Sequence, residues 1–263
     1  MSRQILGLLI DIDGVLITDG QRLPGAAETI QFLNDSQFPY LLVTNTTRKN
    51  RITIWHQLKR VGISVHESQI HTAPLAAVSW LKNKGAQNIF LLLSGSAVKD
   101  FKDFKITTGN TEYVVIGDMG QDLTFERLNT AFRLIMRGAK IIALQKNRYW
   151  QTGEGLTMDA GAVVAALEYA SRKRALVIGK PRKDFFLEAA HTLGIPPDNL
   201  AMIGDDLESD IQGAQEAGLM GITVRTGKFR EAELKQSKIR PDKILKSIAE
   251  LPDFIMQNRG DLS

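Results

Sequence analysis

Short, nearly unbroken apolar runs alternate with longer amphipathic stretches along this chain, the pattern of repeated strand–helix units around a parallel sheet. Residues 5–10 predict a buried strand, 25–34 the helix after it, 40–44 the next strand, and 48–61 a helix closed by Gly62. Strands are expected at 89–93, 113–116 and 141–144, with 125–137 a helix between the last two. Further strands are expected at 175–178, 200–203 and 221–224, again with helices between them. The last helix is expected at 244–251, stopped by Pro252. No internal repeat, low-complexity tract or long linker marks a domain boundary. The fold class that follows is α/β, with a Rossmann-like, doubly wound parallel sheet at its core.

Composition changes this picture mainly by exclusion. The 263 residues, 43% hydrophobic and 24% charged, suit one large globular domain or two smaller ones. There is no cysteine, which removes disulfides, thiolate metal sites and a cysteine nucleophile. The segment MSRQILGLLIDIDG holds too short an apolar run for a signal peptide or a membrane span, and no later stretch reaches spanning length. The expectation is a cytoplasmic protein without a membrane partner. A net charge of +4 raises nucleic acid as a partner, but the 33 basic residues are interleaved with 29 acidic ones, so none is expected. The densest basic run is Arg172-Lys173-Arg174, with Lys180, Arg182 and Lys183 beyond it. It reads either as a solvated face or as a mildly positive mouth for an anionic substrate.

Chemistry gathers at the predicted strand ends. Asp11 and Asp13 stand one residue apart where the first apolar run ends. In extended chain they share a face, and like charges so close call for a cation or a shared proton. Magnesium, a hard ion that prefers carboxylate oxygen, suits them; an Asp-Gly turn is the plainer alternative. Thr44, Asn45 and Thr46 follow the second strand and could donate to phosphate oxygens, or Thr46 or Thr47 could simply cap the 48–61 helix. Lys180, in Gly179-Lys180-Pro181, could stabilise negative charge or lie on the surface. Asp205, Asp206, Glu208 and Asp210 crowd the stretch after residues 200–203, where a metal site competes with a solvated capping turn. All four motifs fall at the C-terminal ends of strands, the edge where open α/β sheets bind ligands.

The ordered set Asp11-x-Asp13-Gly-Val, Thr44-Asn45, Lys180-Pro and Gly-Asp205-Asp206-x4-Asp210 resembles the haloacid dehalogenase-like hydrolases over nearly the whole chain. The long stretch from Thr44 to Lys180, and Thr226-Gly227-Lys228-Phe229, resemble the NagD-like subfamily with a large inserted α/β cap. The resemblance implies a core of residues 1–73 and 175–263 and a cap of 74–174. It implies a Mg2+-dependent phosphatase with Asp11 as the nucleophile that forms an aspartyl-phosphate. Asp13 would protonate the leaving oxygen and then take a proton from water. The metal would be held by Asp11, Asp13 (through its backbone carbonyl) and Asp205, with Thr44, Asn45, Thr46 and Lys180 gripping the phosphoryl oxygens. Asp206 and Asp210 would orient water and Lys180, and Asp159, in the cap, is a candidate for facing substrate. The implied partner is a small phosphorylated substrate, an ester or else a phosphoramide or pyrophosphate, and a homodimer through the cap stays open.

Two other functions fit parts of the pattern. A phospho-aspartate signalling receiver also uses an acidic cluster, a threonine and a lysine, but the Thr44–Lys180 insertion has no place in it. An inactive binding protein on the same scaffold would be expected to lack a catalytic group, and none is missing.

Overall fold

The computed structural model describes residues 4–152 and 155–258. Contacts divide the chain into two compact units. The first holds the chain up to Thr44, then Ile54–His71, then Lys180 onward; the second holds Asn45–Thr53 and Thr72–Gly179.

The first unit is built on a six-stranded sheet in the spatial order Lys243–Leu245, Met220–Val224, Leu200–Gly204, Gly7–Asp11, Tyr40–Thr44, Ile70–Thr72. The first five strands of that order pair in parallel. Gly7–Asp11, Tyr40–Thr44 and Leu200–Gly204 are buried at every position, as strands covered on both faces must be. Leu8, Ile10, Ile30, Leu33, Leu42, Ile203 and Ile222 anchor the core, each fully buried. Burying an aliphatic side chain of this size stabilises by about 1.5–3 kcal/mol.

Strand order decides where the crevice lies. From Gly7–Asp11 the chain builds outward to Tyr40–Thr44 on one side, and later returns to build Leu200–Gly204 on the other. The switch point therefore falls between Gly7–Asp11 and Leu200–Gly204, and ligands bind outside the C-terminal ends of the strands that flank such a point. Asp11 ends the first of these strands and Asp205 follows the second.

The second unit has its own five-stranded parallel sheet, in the order Leu176–Val177, Lys140–Ala143, Tyr113–Ile116, Asn88–Leu92, Lys105–Ile106. Helices Phe125–Met136 and Ala160–Ser171 pack on each other and on this sheet, around Leu92, Ile116, Leu134, Ile135, Val164 and Leu167. Tyr149–Thr152 and Gly155–Met158 form an antiparallel hairpin. Within the basic run, Lys173 donates to the carbonyl of Ile135, and Arg174 stands 3.9 Å from the buried Glu168, which also accepts from Lys146 at 2.6 Å. Among the described residues no helix is long and apolar enough to cross a membrane.

The end of the chain departs from the expected pattern. In place of one helix at 244–251, Lys243–Leu245 adds an edge strand to the core sheet and the last helix is Leu251–Asn258. Pro252 sits in that helix's first turn, where the missing N–H would have had no partner, so it opens a helix instead of stopping one.

Candidate active site

Parallel register brings the key side chains together before any side-chain contact is made. Ile10 pairs with Ile203 and Asp11 with Val43, so Asp11 emerges one residue beyond Ile10–Ile203 and one before Thr44. Gly204 closes its strand with no room for a side chain, since a Cβ there would lie 2.3 Å from Asp210. The chain then turns through Leu207–Gln212, wound as a π-helical segment with Asp206 as its cap. The Asp206 carboxylate accepts from the amides of Glu208 at 3.1 Å and Ser209 at 2.9 Å. That wider winding carries Asp210 inward until it is fully buried.

Asp11, Asp205 and Asp210 form one group whose ligand-type oxygens lie within 4.8 Å of one another. Lys180 Nζ stands 2.8 Å from Asp11 Oδ1 and 2.6 Å from Asp210 Oδ1, and the four residues are between 0 and 7% exposed. The other oxygen of Asp210 accepts from the backbone N–H of Asp206 at 3.2 Å. Beside this group, Lys228 pairs with Asp206 at 3.2 Å.

Burial governs the electrostatics. It pushes the Asp11 carboxyl above its ordinary range against the pull of Lys180, with the Asp13 charge adding to the rise. Burial, then the charges of Asp11 and Asp210, raises Asp205 well above that range. Asp210 is pushed up to about 7, chiefly by burial. Burial alone would lower Lys180, but the carboxylates of Asp11 and Asp210 outweigh it and hold the ammonium firmly charged. Around Asp206, burial is likewise outweighed, here by Lys228 and the Ser209 amide, so its carboxyl lies below the usual range. With all three acids ionised, the triad would outweigh Lys180 by two negative charges. A divalent cation restores that balance, and an all-carboxylate donor set is the kind that hard divalent ions take. The residues present thus fit a metal ion.

The sequence-predicted residues fall as follows. Asp11 and Asp205 belong to the buried group and Lys180 bridges Asp11 to Asp210. Asp13 lies on the loop after the first strand with its side chain exposed, outside the three gathered carboxylates. Thr44 is buried at the end of its strand. Asn45 and Thr46 follow it in the chain but belong to the second compact unit. There, Asn45 Oδ1 passes so close to Gly179 that a Cβ on that glycine would sit 2.5 Å away. Neither Thr46 nor Thr47 caps the following helix. It starts at Arg51, Asn50 accepts from the Thr53 amide at 3.0 Å, and Thr47 Oγ1 accepts from the Asp118 amide at 2.9 Å. Asp159 caps helix Ala160–Ser171 and accepts from Gln145 at 2.5 Å.

Sequence reasoning gave no role to Thr226-Gly227-Lys228, which lies against Asp205. The Lys228 amide donates to Asp205 Oδ2 at 2.6 Å and Thr226 Oγ1 donates to the Gly14 carbonyl at 2.5 Å. The signal was its position, past the C-terminal end of Met220–Val224 and so on the same sheet edge as the acids.

Comparison with known proteins agrees with this geometry. A family model described as haloacid dehalogenase-like hydrolase matches residues 8–107, and a second, HAD-hydrolase-like one matches 177–251. Haloacid dehalogenase-like hydrolase domain-containing protein 2 of Homo sapiens is 37% identical over 258 residues, covering 97% of this chain and 98% of the relative. Human phospholysine phosphohistidine inorganic pyrophosphate phosphatase is 34% identical over 260 residues, covering 97% and 95%. Among solved structures, the 4-nitrophenylphosphatase of Thermotoga maritima superposes with a TM-score of 0.90 at 28% identity, covering 95% of this chain and 97% of the other. NagD from E. coli K-12 gives 0.87 at 26% identity, covering 94% and 98%.

Proposed function

The chain belongs to the haloacid dehalogenase-like hydrolases, and from that premise we propose that it is a magnesium-dependent phosphatase of small phosphorylated substrates, working through an aspartyl-phosphate on Asp11. The observation that carries the reading is the Asp11 carboxylate, fixed 2.8 Å from a buried lysine within a triad of acids.

Asp11 attacks phosphorus, and the bond from phosphorus to the leaving oxygen breaks. Forming the ester on a carboxylate splits one difficult displacement into two easier ones. Asp13, two residues on and exposed to incoming water, gives its proton to the leaving oxygen. It then takes a proton from the water that attacks phosphorus and releases phosphate. Lys180 holds the attacking carboxylate in place and, with Thr44, Asn45 and Thr46, meets charge that builds on the phosphoryl oxygens. The Asp11 and Asp205 carboxylates and the Asp13 carbonyl would hold Mg2+, whose charge keeps the buried acids ionised and neutralises the phosphoryl group. Burial works against the ionisation of Asp11, so the nucleophile depends on Lys180 and the cation to stay charged.

Substrate class is supported more loosely. The names of the relatives cover a phosphate ester of nitrophenol and P–N and pyrophosphate bonds, all presenting the same phosphoryl group to Asp11. The direct test is turnover of p-nitrophenyl phosphate with Mg2+ and with chelator. Many phosphates released per chain, abolished by chelation, is the expected result. A single phosphorylation without turnover would instead support a phospho-aspartate receiver, and turnover indifferent to chelation would remove the metal.

A further inference from the structure

The Asp205 carboxylate is gripped by the protein chiefly at Oδ2. Its Oδ2 accepts from the Lys228 amide at 2.6 Å. The same oxygen is wedged between two glycines: a Cβ on Gly14 would lie 2.0 Å from Oδ2, and a Cβ on Gly227 would also lie 2.0 Å from it. The Gly227 Cβ would further sit 2.6 Å from the Gly14 α-carbon, so the two backbones are in contact around the carboxylate. Both glycines have positive φ, +89° and +58°, a region that side-chain-bearing residues rarely adopt. Thr226 Oγ1 ties the two loops together through its 2.5 Å bond to the Gly14 carbonyl. The Lys228 ammonium is turned to Asp206 at 3.2 Å, so it is the backbone of this residue that grips Asp205.

We propose that Thr226, Gly227 and the Lys228 amide form a clamp that fixes Asp205 Oδ2 against the protein and so sets the orientation in which the Asp205 carboxylate meets the active-site cation. A carboxylate held in one orientation pays less ordering entropy when the ion binds than one free to rotate. Thr226 and Gly227 are thus positioning residues for the ion, and the inference rests on the metal-dependent reading above. Groups that orient a ligand in this way typically set metal affinity by about 10–100-fold.

The test measures Mn2+ binding directly, by electron paramagnetic resonance of free ion, on wild-type protein and on Gly227→Ala, alongside the Mg2+ activation constant. A Cβ at 227 displaces Oδ2, so Mn2+ affinity is expected to fall about tenfold or more. The Mg2+ activation constant should rise by about the same factor while the circular dichroism spectrum stays that of wild type, which a general loss of structure cannot produce. Thr226→Val, which loses the tie without adding bulk, should weaken Mn2+ about threefold or more and carries the test if Gly227→Ala misfolds by circular dichroism. Wild-type binding with unchanged affinity in both folded variants overturns the clamp alone. No Mn2+ binding by the wild type overturns the metal-dependent reading and the clamp with it.

Discussion

Asp11→Asn is expected to lower kcat/KM by about 10⁴-fold or more and, at the same time, to raise the melting temperature of the metal-free protein. The two effects have one cause. Asp11 shares a buried cluster with Asp205 and Asp210, and Lys180 is the cation in direct contact with it, bonded to Asp11 and Asp210. Its removal as a charge relieves repulsion that the fold tolerates for function, while the neutral amide cannot form the acyl-phosphate. Steady-state kinetics on p-nitrophenyl phosphate and a thermal scan in chelator check both halves. Lost activity with a lowered melting temperature would make Asp11 a structural residue, and retained turnover would remove it as nucleophile.

Lys180→Met is expected to destabilise the metal-free protein by about 3–5 kcal/mol at neutral pH, the range for removing one partner of a buried ion pair. Its catalytic loss is expected on the order of 10²–10³ in kcat, comparable to deleting one donor to transition-state charge. The destabilisation should depend on pH in a stated direction. Asp11, Asp205 and Asp210 all have folded pKa values raised above their unfolded ones, Asp210 to about 7. From the ordinary carboxylate range up to about 7, the native state therefore binds more protons than the unfolded state, and stability falls as pH rises. Without Lys180 that fall steepens, because the ammonium bonded to Asp11 and Asp210 no longer offsets their charges as they form. Urea titrations at several pH values measure it. The difference between variant and wild type should be small in acid and largest at neutral pH, and a flat difference would contradict the account.

Asp11 stood out in the sequence because an acid directly after a buried apolar strand falls on the ligand-binding edge of a parallel sheet, and the structure buries it there. The strands themselves were legible from their composition, and Tyr40–Thr44 and Tyr113–Ile116 lie where their apolar runs lie. Asp210 was legible only through the resemblance, which implied that it orients Lys180. In sequence it is one acid among several on a turn, and only the π-helical winding of Leu207–Gln212 buries it against Lys180. Winding of that kind depends on tertiary packing and leaves no local signature. The Thr226-Gly227-Lys228 loop was visible as a motif, but its contact with Asp205 was not. Its contribution to Asp205 comes from a backbone amide and an absent side chain, and neither is a residue type associated with metal chemistry. The strand Lys243–Leu245 was missed because a short edge strand next to Pro252 has the apolar content of a helix end.

The claim on which everything else rests is that phosphate passes through a covalent bond to Asp11. Acid-quenching the protein during turnover of a phosphoryl-labelled substrate, followed by peptide mapping, tests it directly. The account predicts a base-labile label on the peptide containing Asp11, absent from Asp11→Asn. Label on another residue, or steady turnover with the Asp11 peptide unlabelled at every quench time, would contradict it.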